Sequence, residues 1–174
     1  MLAGLVRSAF ALGAMKFVTD SNTTEIVLRP ATPDDAAGVT KCVRAAYAKW
    51  VPGLGRKPWP MLQDYSVAIS AEIVFVGGAG DQVVGVLVLS NNTDDGFLIE
   101  NVAVLPALAG RGIGKLQLVH AEQEAKARGF DSIYLYTNEK MTENLALYAR
   151  IGYVEYERRQ EQGFCRVFMR KALS

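Results

Sequence analysis

Val104-Leu105-Pro106-Ala107-Leu108-Ala109-Gly110-Arg111-Gly112-Ile113-Gly114-Lys115 sets three alternating glycines between the end of a β-prone run and the start of a helical one. Glycine has no Cβ, so backbone N–H groups here can turn toward a ligand, and the helix N-terminus adds the equivalent of roughly half a positive charge. The segment suits an anion, a pyrophosphate above all. Two nucleotide-binding patterns compete for it and both fail on residue identity. The dinucleotide fingerprint requires glycine where Lys115 stands, and the P-loop requires glycine at Ala109 and a hydroxyl residue at Leu116. Without a ligand, the same glycines would be no more than a tight strand-to-helix turn.

Working outward, Phe97 to Val104 reads as a strand stopped by Pro106, and Gly112 to Arg128 as a helix stopped by Gly129. Helical spacing groups Ile113, Leu116, His120 and Ala127 on one side, and Lys115, Glu122 and Lys126 on the other. Downstream come a strand at Ile133 to Tyr136, a helix at Thr142 to Ile151 ended by Gly152, and a hairpin of Tyr153 to Arg158 with Cys165 to Arg170. Upstream, Ile26 to Arg29 is a strand, and Thr32-Pro33 starts a helix running to about Trp50. The prolines and glycines of Val51 to Pro60 predict a shaped loop, with helix resuming over Met61 to Ile69. Ile73 to Val76 and Val83 to Leu89 form a hairpin across Gly77 to Asp81. This order predicts an α/β fold of the α+β type: a mixed, mostly antiparallel sheet of six to seven strands flanked by about four helices. Residues 25–174 make one domain, and residues 1–24 read as a disordered extension, with Met15 as an alternative start.

The chain has 174 residues, 50% of them hydrophobic and 21% charged, the balance of an ordinary globular domain. A net charge of +1 supplies no field toward nucleic acid or anionic lipid, so small molecules are the expected partners. Cys42 and Cys165 lack metal-site or disulfide spacing, which suits a reducing cytoplasm. The longest apolar run, Val83 to Leu89, is far short of the ~20 residues that cross a bilayer.

Ala109-Gly110-Arg111-Gly112-Ile113-Gly114 resembles the Q/R-x-x-G-x-G/A hallmark of the GNAT superfamily of acetyl-CoA-dependent N-acetyltransferases, with Ala109 in place of the usual Gln or Arg. Asn144-Leu145-Ala146-Leu147-Tyr148-Ala149-Arg150-Ile151-Gly152-Tyr153 is similar to the family's late motif, and the resemblance extends from about Ile26 to Leu173. It implies acetyl-CoA as acyl donor, with the pantetheine arm along Val102, Ala103 and Val104 and the pyrophosphate on the amides of Gly110, Arg111, Gly112, Ile113, Gly114 and Lys115. Arg111 and Lys115 either add charge to that cradle or are solvated. Asn144 would contact CoA, with Asn138 as its substitute.

Making an amide from a thioester requires a neutral amine, a stabilised oxyanion and a protonated leaving thiolate. The resemblance gives the last task to Tyr148, which helical spacing groups with Asn144 and Met141. For the base, strand alternation puts Glu100 on one face with Leu98, Val102 and Val104, where partial burial would raise its pKa; a structural ion pair is the other reading. His120 reads as core packing, and both cysteines as small hydrophobes. The family builds its acceptor side from the first two helices, their loop and the last hairpin. Here that implies Tyr47, Trp59 and Tyr65, with Trp50 in the same wall. Asp64 would attract a cationic amine, whereas Arg56 and Lys57 would hold a carboxylate or stay solvated. The acceptor is a small amine or a protein amine, a homodimer is left open, and a non-catalytic acetyl-CoA sensor is the alternative to an enzyme.

Overall fold

The computed structural model describes residues 15–18, 25–91 and 94–174. Among these residues, eight strands form one sheet in the order β1-β2-β3-β4-β5-β6-β8-β7. They are β1 (Met15–Val18), β2 (Glu25–Pro30), β3 (Ile73–Ala79), β4 (Gln82–Ser90), β5 (Phe97–Val104), β6 (Ser132–Asn138), β7 (Val154–Glu161) and β8 (Phe164–Ala172). Every neighbouring pair is antiparallel except β5 and β6. The mixed, mostly antiparallel sheet expected from the sequence is therefore present, with one strand more. That strand, β1, lies inside the segment read as an extension, pairing Met15 with Leu28 and Val18 with Glu25; residues 1–14 and 19–24 of that segment lie outside the described residues.

Among the described residues, five α-helices flank the sheet: α1 (Ala36–Tyr47), α2 (Val51–Leu54), α3 (Tyr65–Ala71), α4 (Ile113–Ala127) and α5 (Thr142–Arg150). Alternation along β3 and β4 buries both faces. Val74, Val76, Val86 and Val88 pack with Val39, Cys42 and Val43 of α1 and Ala68 of α3. Phe75, Leu87 and Leu89 pack on the other face with Leu118, Ala121 and Ala125 of α4. Strands buried on both sides read as continuous apolar runs, as these do.

Three local expectations are corrected. The segment after Trp50 is not a loop throughout: Pro52 falls in the first turn of α2, where its missing N–H costs nothing, and the helix ends at Gly55 with φ +73°. The hairpin glycines Gly77 and Gly78 stay in β3, opposite a bulge whose extra residue is Val84 of β4, leaving Gly80 and Asp81 as the turn. The buried face of α4 is Ile113, Gln117, Leu118, His120, Ala121, Glu124 and Ala125, while Ala127 is exposed. Gln117 takes an inner position because β4 offers Gly85 beneath it; a Cβ there would lie 2.8 Å from Gln117 Nε2.

Candidate acyl-donor and acceptor site

The glycine loop joins β5 to α4. Gly110 and Gly112 have φ of +79° and +85°, which only glycine adopts without strain, and a Cβ built on either would meet nothing within 4 Å. The space above them is open. The first helical bond here runs from the Leu116 N–H to the Gly112 carbonyl at 3.0 Å, which leaves the N–H groups of Ile113, Gly114 and Lys115 without intrahelical acceptors. The Ile113 side chain is buried with Ile26 and Val84, anchoring the first turn. Ala109, Arg111 and Lys115 are exposed around it. These residues could hold an anion by backbone donors alone, without the Gln or Arg side chain that Ala109 replaces.

Next to the cradle the sheet splays. β5 pairs with β6 only through Phe97, Ile99 and the Leu98 between them, although β5 continues to Val104 and β6 to Asn138. Past Ile99, the β5 edge toward β6 has no strand partner among the described residues. Along this edge the main-chain groups of Val102 and Val104 turn away from β4, while those of Ala103 turn toward it, as does the Leu105 N–H bonded to the Val84 carbonyl at 2.9 Å; a free strand edge is what an amide-bearing arm such as pantetheine requires. The opening begins at a bulge. Val88 pairs with Asn101 and the next residue, Leu89, pairs with Ile99, so Glu100 is the extra residue on β5. That bulge corrects the face expected for Glu100. Val102 packs on the α4 side with Phe97 and Ile99, and Ala103 on the α1 side, so the alternation linking Glu100 to Val102 and Val104 is broken.

Glu100 instead opens into a cavity of about 490 Å³ between the α2–α3 connection, the ends of β5 and β6, and the β7–β8 hairpin. Burial, and then the carboxylate of Glu72, push its pKa up to about 7. Glu72 is held from the other side by the Gln63 amide, which donates to it at 3.1 Å. Beside Glu100, the Tyr47 hydroxyl donates to Asn101 Oδ1 at 2.8 Å, Asn101 Nδ2 donates to the Tyr65 hydroxyl at 3.0 Å, and Tyr65 donates to the Pro60 carbonyl at 2.9 Å. This chain ties α1, β5 and the proline loop together. Burial raises the pKa of Tyr47 well above 10 and that of Tyr148 to about 12, so both phenols remain O–H groups at neutral pH. Tyr148, after burial, adds to the upward shift of Tyr47.

The structure brings some expected site residues together and separates others. Tyr47, Trp59 and Glu100 line the cavity, with Trp59 at its rim and 63% exposed. Tyr65 is 2% exposed, behind Asn101, and does not line it. Tyr148 and Asn144 are half-buried on α5, outside the cavity wall; Tyr148 packs 6.1 Å from the Tyr153 ring and Asn144 donates to Met141 Sδ at 3.8 Å. Asn138 does line the cavity, its side chain accepting from the Lys140 N–H. Asp64 is not aimed at an acceptor, since its carboxylate caps α3 through the Ser66 N–H at 2.9 Å and the Ser66 hydroxyl at 2.6 Å. His120 is buried against Phe75, and Cys42 is buried with its thiol pushed up to about 12. Sequence reasoning missed Asn101 and Glu72. Asn101 had a signal, a strand-disfavoured polar residue inside an apolar run; Glu72 had none.

Comparisons with known proteins agree with this geometry. The profile described as "Acetyltransferase (GNAT) family" matches residues 42–153. An uncharacterized N-acetyltransferase, YvbK of Bacillus subtilis, is 33% identical over 79 residues, which cover 45% of this chain and 51% of that protein. A second, YjgM of Escherichia coli, is 31% identical over 78 residues, covering 45% and 44%. The chain thus matches about half the length of these relatives. Among solved structures, a GCN5-related N-acetyltransferase from Rhodopseudomonas palustris superposes with a TM-score of 0.70 at 22% identity, over 84% of this chain and 94% of that one. The PaiA N-acetyltransferase of Thermoplasma acidophilum, solved with coenzyme A, gives 0.69 at 16%, over 84% and 98%. YncA of Salmonella typhimurium, solved with acetyl-CoA, gives 0.64 at 19%, over 86% and 94%. These likenesses establish a shared fold, and the profile match across the glycine loop and the late motif establishes that the chain belongs to the GNAT acetyltransferase family.

Proposed function

We propose that this protein transfers an acetyl group from acetyl-CoA to a primary amine by direct attack within a ternary complex. The observation that carries this reading is the splay of β5 from β6, which opens between the glycine cradle and a cavity holding a carboxylate of pKa about 7. Acetyl-CoA supplies the activated acyl group. The amides of residues 110–115 hold its pyrophosphate, and the β5 edge at Val102 to Val104 takes the pantetheine arm. Glu100 accepts the proton that the attacking ammonium must lose, directly or through one water; a base with pKa near the working pH combines a populated carboxylate with useful proton affinity. The C–N bond forms as the C–S bond breaks. Tyr148 gives its hydroxyl proton to the leaving thiolate and is reprotonated, through water, by the second proton that the nitrogen sheds on becoming an amide, a role supported by its place in the late motif and by a pKa that keeps it protonated.

The test is an amine panel incubated with acetyl-CoA, reading free thiol and acetylated product together. Thiol release matched by acetyl-amine supports the transferase. Tight acetyl-CoA binding with no product across the panel would instead favour a sensor.

A further inference from the structure

The cavity wall carries an imbalance of charge. Among the described residues that line it, Glu100 is the one acid, whereas Arg56, Lys57 and Arg166 bring three cations. Arg166 is already committed, bonded to Glu161 at 2.7 Å and stacked over the Tyr136 ring at 4.6 Å. Arg56 is different. Its guanidinium lies 3.9 Å over the Phe164 ring, and a Cβ at Gly163 would come within 3.0 Å of its Nη2, so the hairpin glycine at φ +78° leaves the room it occupies. No carboxylate pairs with it among the described residues. Arg56 and Lys57 are both exposed at the mouth of the cavity, where a ligand entering from solvent meets them. Seated over an aromatic, with no carboxylate on its forked donors and an open cavity beside it, Arg56 is placed to receive a planar anion. Lys57, adjacent in sequence and in the wall, adds a second positive charge.

We infer that the acceptor is a small amino acid: a primary amine that also carries a carboxylate, its amine directed to Glu100 and its carboxylate to Arg56 and Lys57. This rests on the acetyl-transfer reading above and narrows it. A cationic acceptor such as a polyamine would meet repulsion at the rim, and a neutral amine would leave Arg56 unanswered. The Glu100 carboxylate and the Arg56 guanidinium stand on different elements, one on β5 and one after α2, so each end of a zwitterion has its own partner.

The experiment compares kcat/KM for matched sets: free α-, β- and γ-amino acids, their carboxamides, and the corresponding decarboxylated amines. The inference expects at least one acid to be preferred over its carboxamide and its decarboxylated amine by about tenfold or more. It also expects Arg56→Met combined with Lys57→Met to lower that preference at least tenfold, through KM, with Arg56→Lys intermediate. Turnover of carboxamides or simple amines equal to or better than the acids would overturn it while leaving the transferase standing. So would an acid preference that survives in the double variant. Absence of product from every amine, with acetyl-CoA bound, would overturn the transferase reading and this inference together.

Discussion

The carboxyl groups of Glu72, at the end of α3, and Glu100, at the bulge of β5, approach closely enough to hydrogen-bond, and burial together with that contact raises Glu100 to a pKa of about 7. Two carboxyls in contact cannot both ionise cheaply. The acid limb of the rate profile should therefore report this pair. kcat/KM is expected to rise with pH through an apparent pKa of about 7 as Glu100 loses its proton. In Glu72→Gln the like charge is gone, so the limb should move to lower pH. In Glu100→Gln the limb should vanish, with kcat reduced by roughly a hundredfold. A profile identical in wild type and Glu72→Gln would show that the pair does not control the reaction.

The cradle makes a paired prediction about two glycines. Gly112→Val places a branched side chain in the open space where an anion must approach, at a φ of +85° that valine adopts only under strain. Acetyl-CoA affinity is expected to drop by about tenfold or more, or about 1.4 kcal/mol. Gly114→Ala should be tolerated, because its Cβ would meet Val104 Cγ2 at an ordinary 3.7 Å. Calorimetric titration of both variants, each checked for folding by circular dichroism, distinguishes a cradle from a plain turn.

His120 tests the core rather than the chemistry. Burial lowers its pKa; Glu124, 3.8 Å from Nε2, opposes that shift and Arg128 adds to it. A histidine whose folded pKa lies below its unfolded value favours folding fully above about pH 6.5. That contribution is lost as pH falls from there through the folded pKa. Urea unfolding should therefore show wild type losing more stability between pH 8 and pH 5 than His120→Gln does. An equal loss in both would place the acid sensitivity elsewhere.

The glycine turn between β5 and α4 and the family's late motif were legible in the sequence because glycine spacing and residue identity are local facts. The two buried faces of the sheet were legible too, from runs such as Val83 to Leu89. Alternation failed at Glu100, since a bulge inserts one residue and reverses the side on which every later side chain falls, and nothing in Leu98-Ile99-Glu100-Asn101 announces it. Proline was over-read at Pro52, where first-turn placement lets helix continue. The contact between Glu72 and Glu100 joins residues far apart in the chain, and no local pattern encodes it.

The most direct test of the account is turnover by Tyr148→Phe, measured with an amine that wild type acetylates and alongside calorimetric acetyl-CoA binding. The ring would still pack against Tyr153, so cofactor affinity should remain close to wild type. If the Tyr148 hydroxyl protonates the departing thiolate, kcat should drop by roughly a hundredfold or more. A structural hydroxyl would alter stability by about 1 kcal/mol and leave turnover nearly untouched. A folded, acetyl-CoA-binding Tyr148→Phe protein with wild-type kcat would contradict the assignment and leave protonation of the thiolate to water.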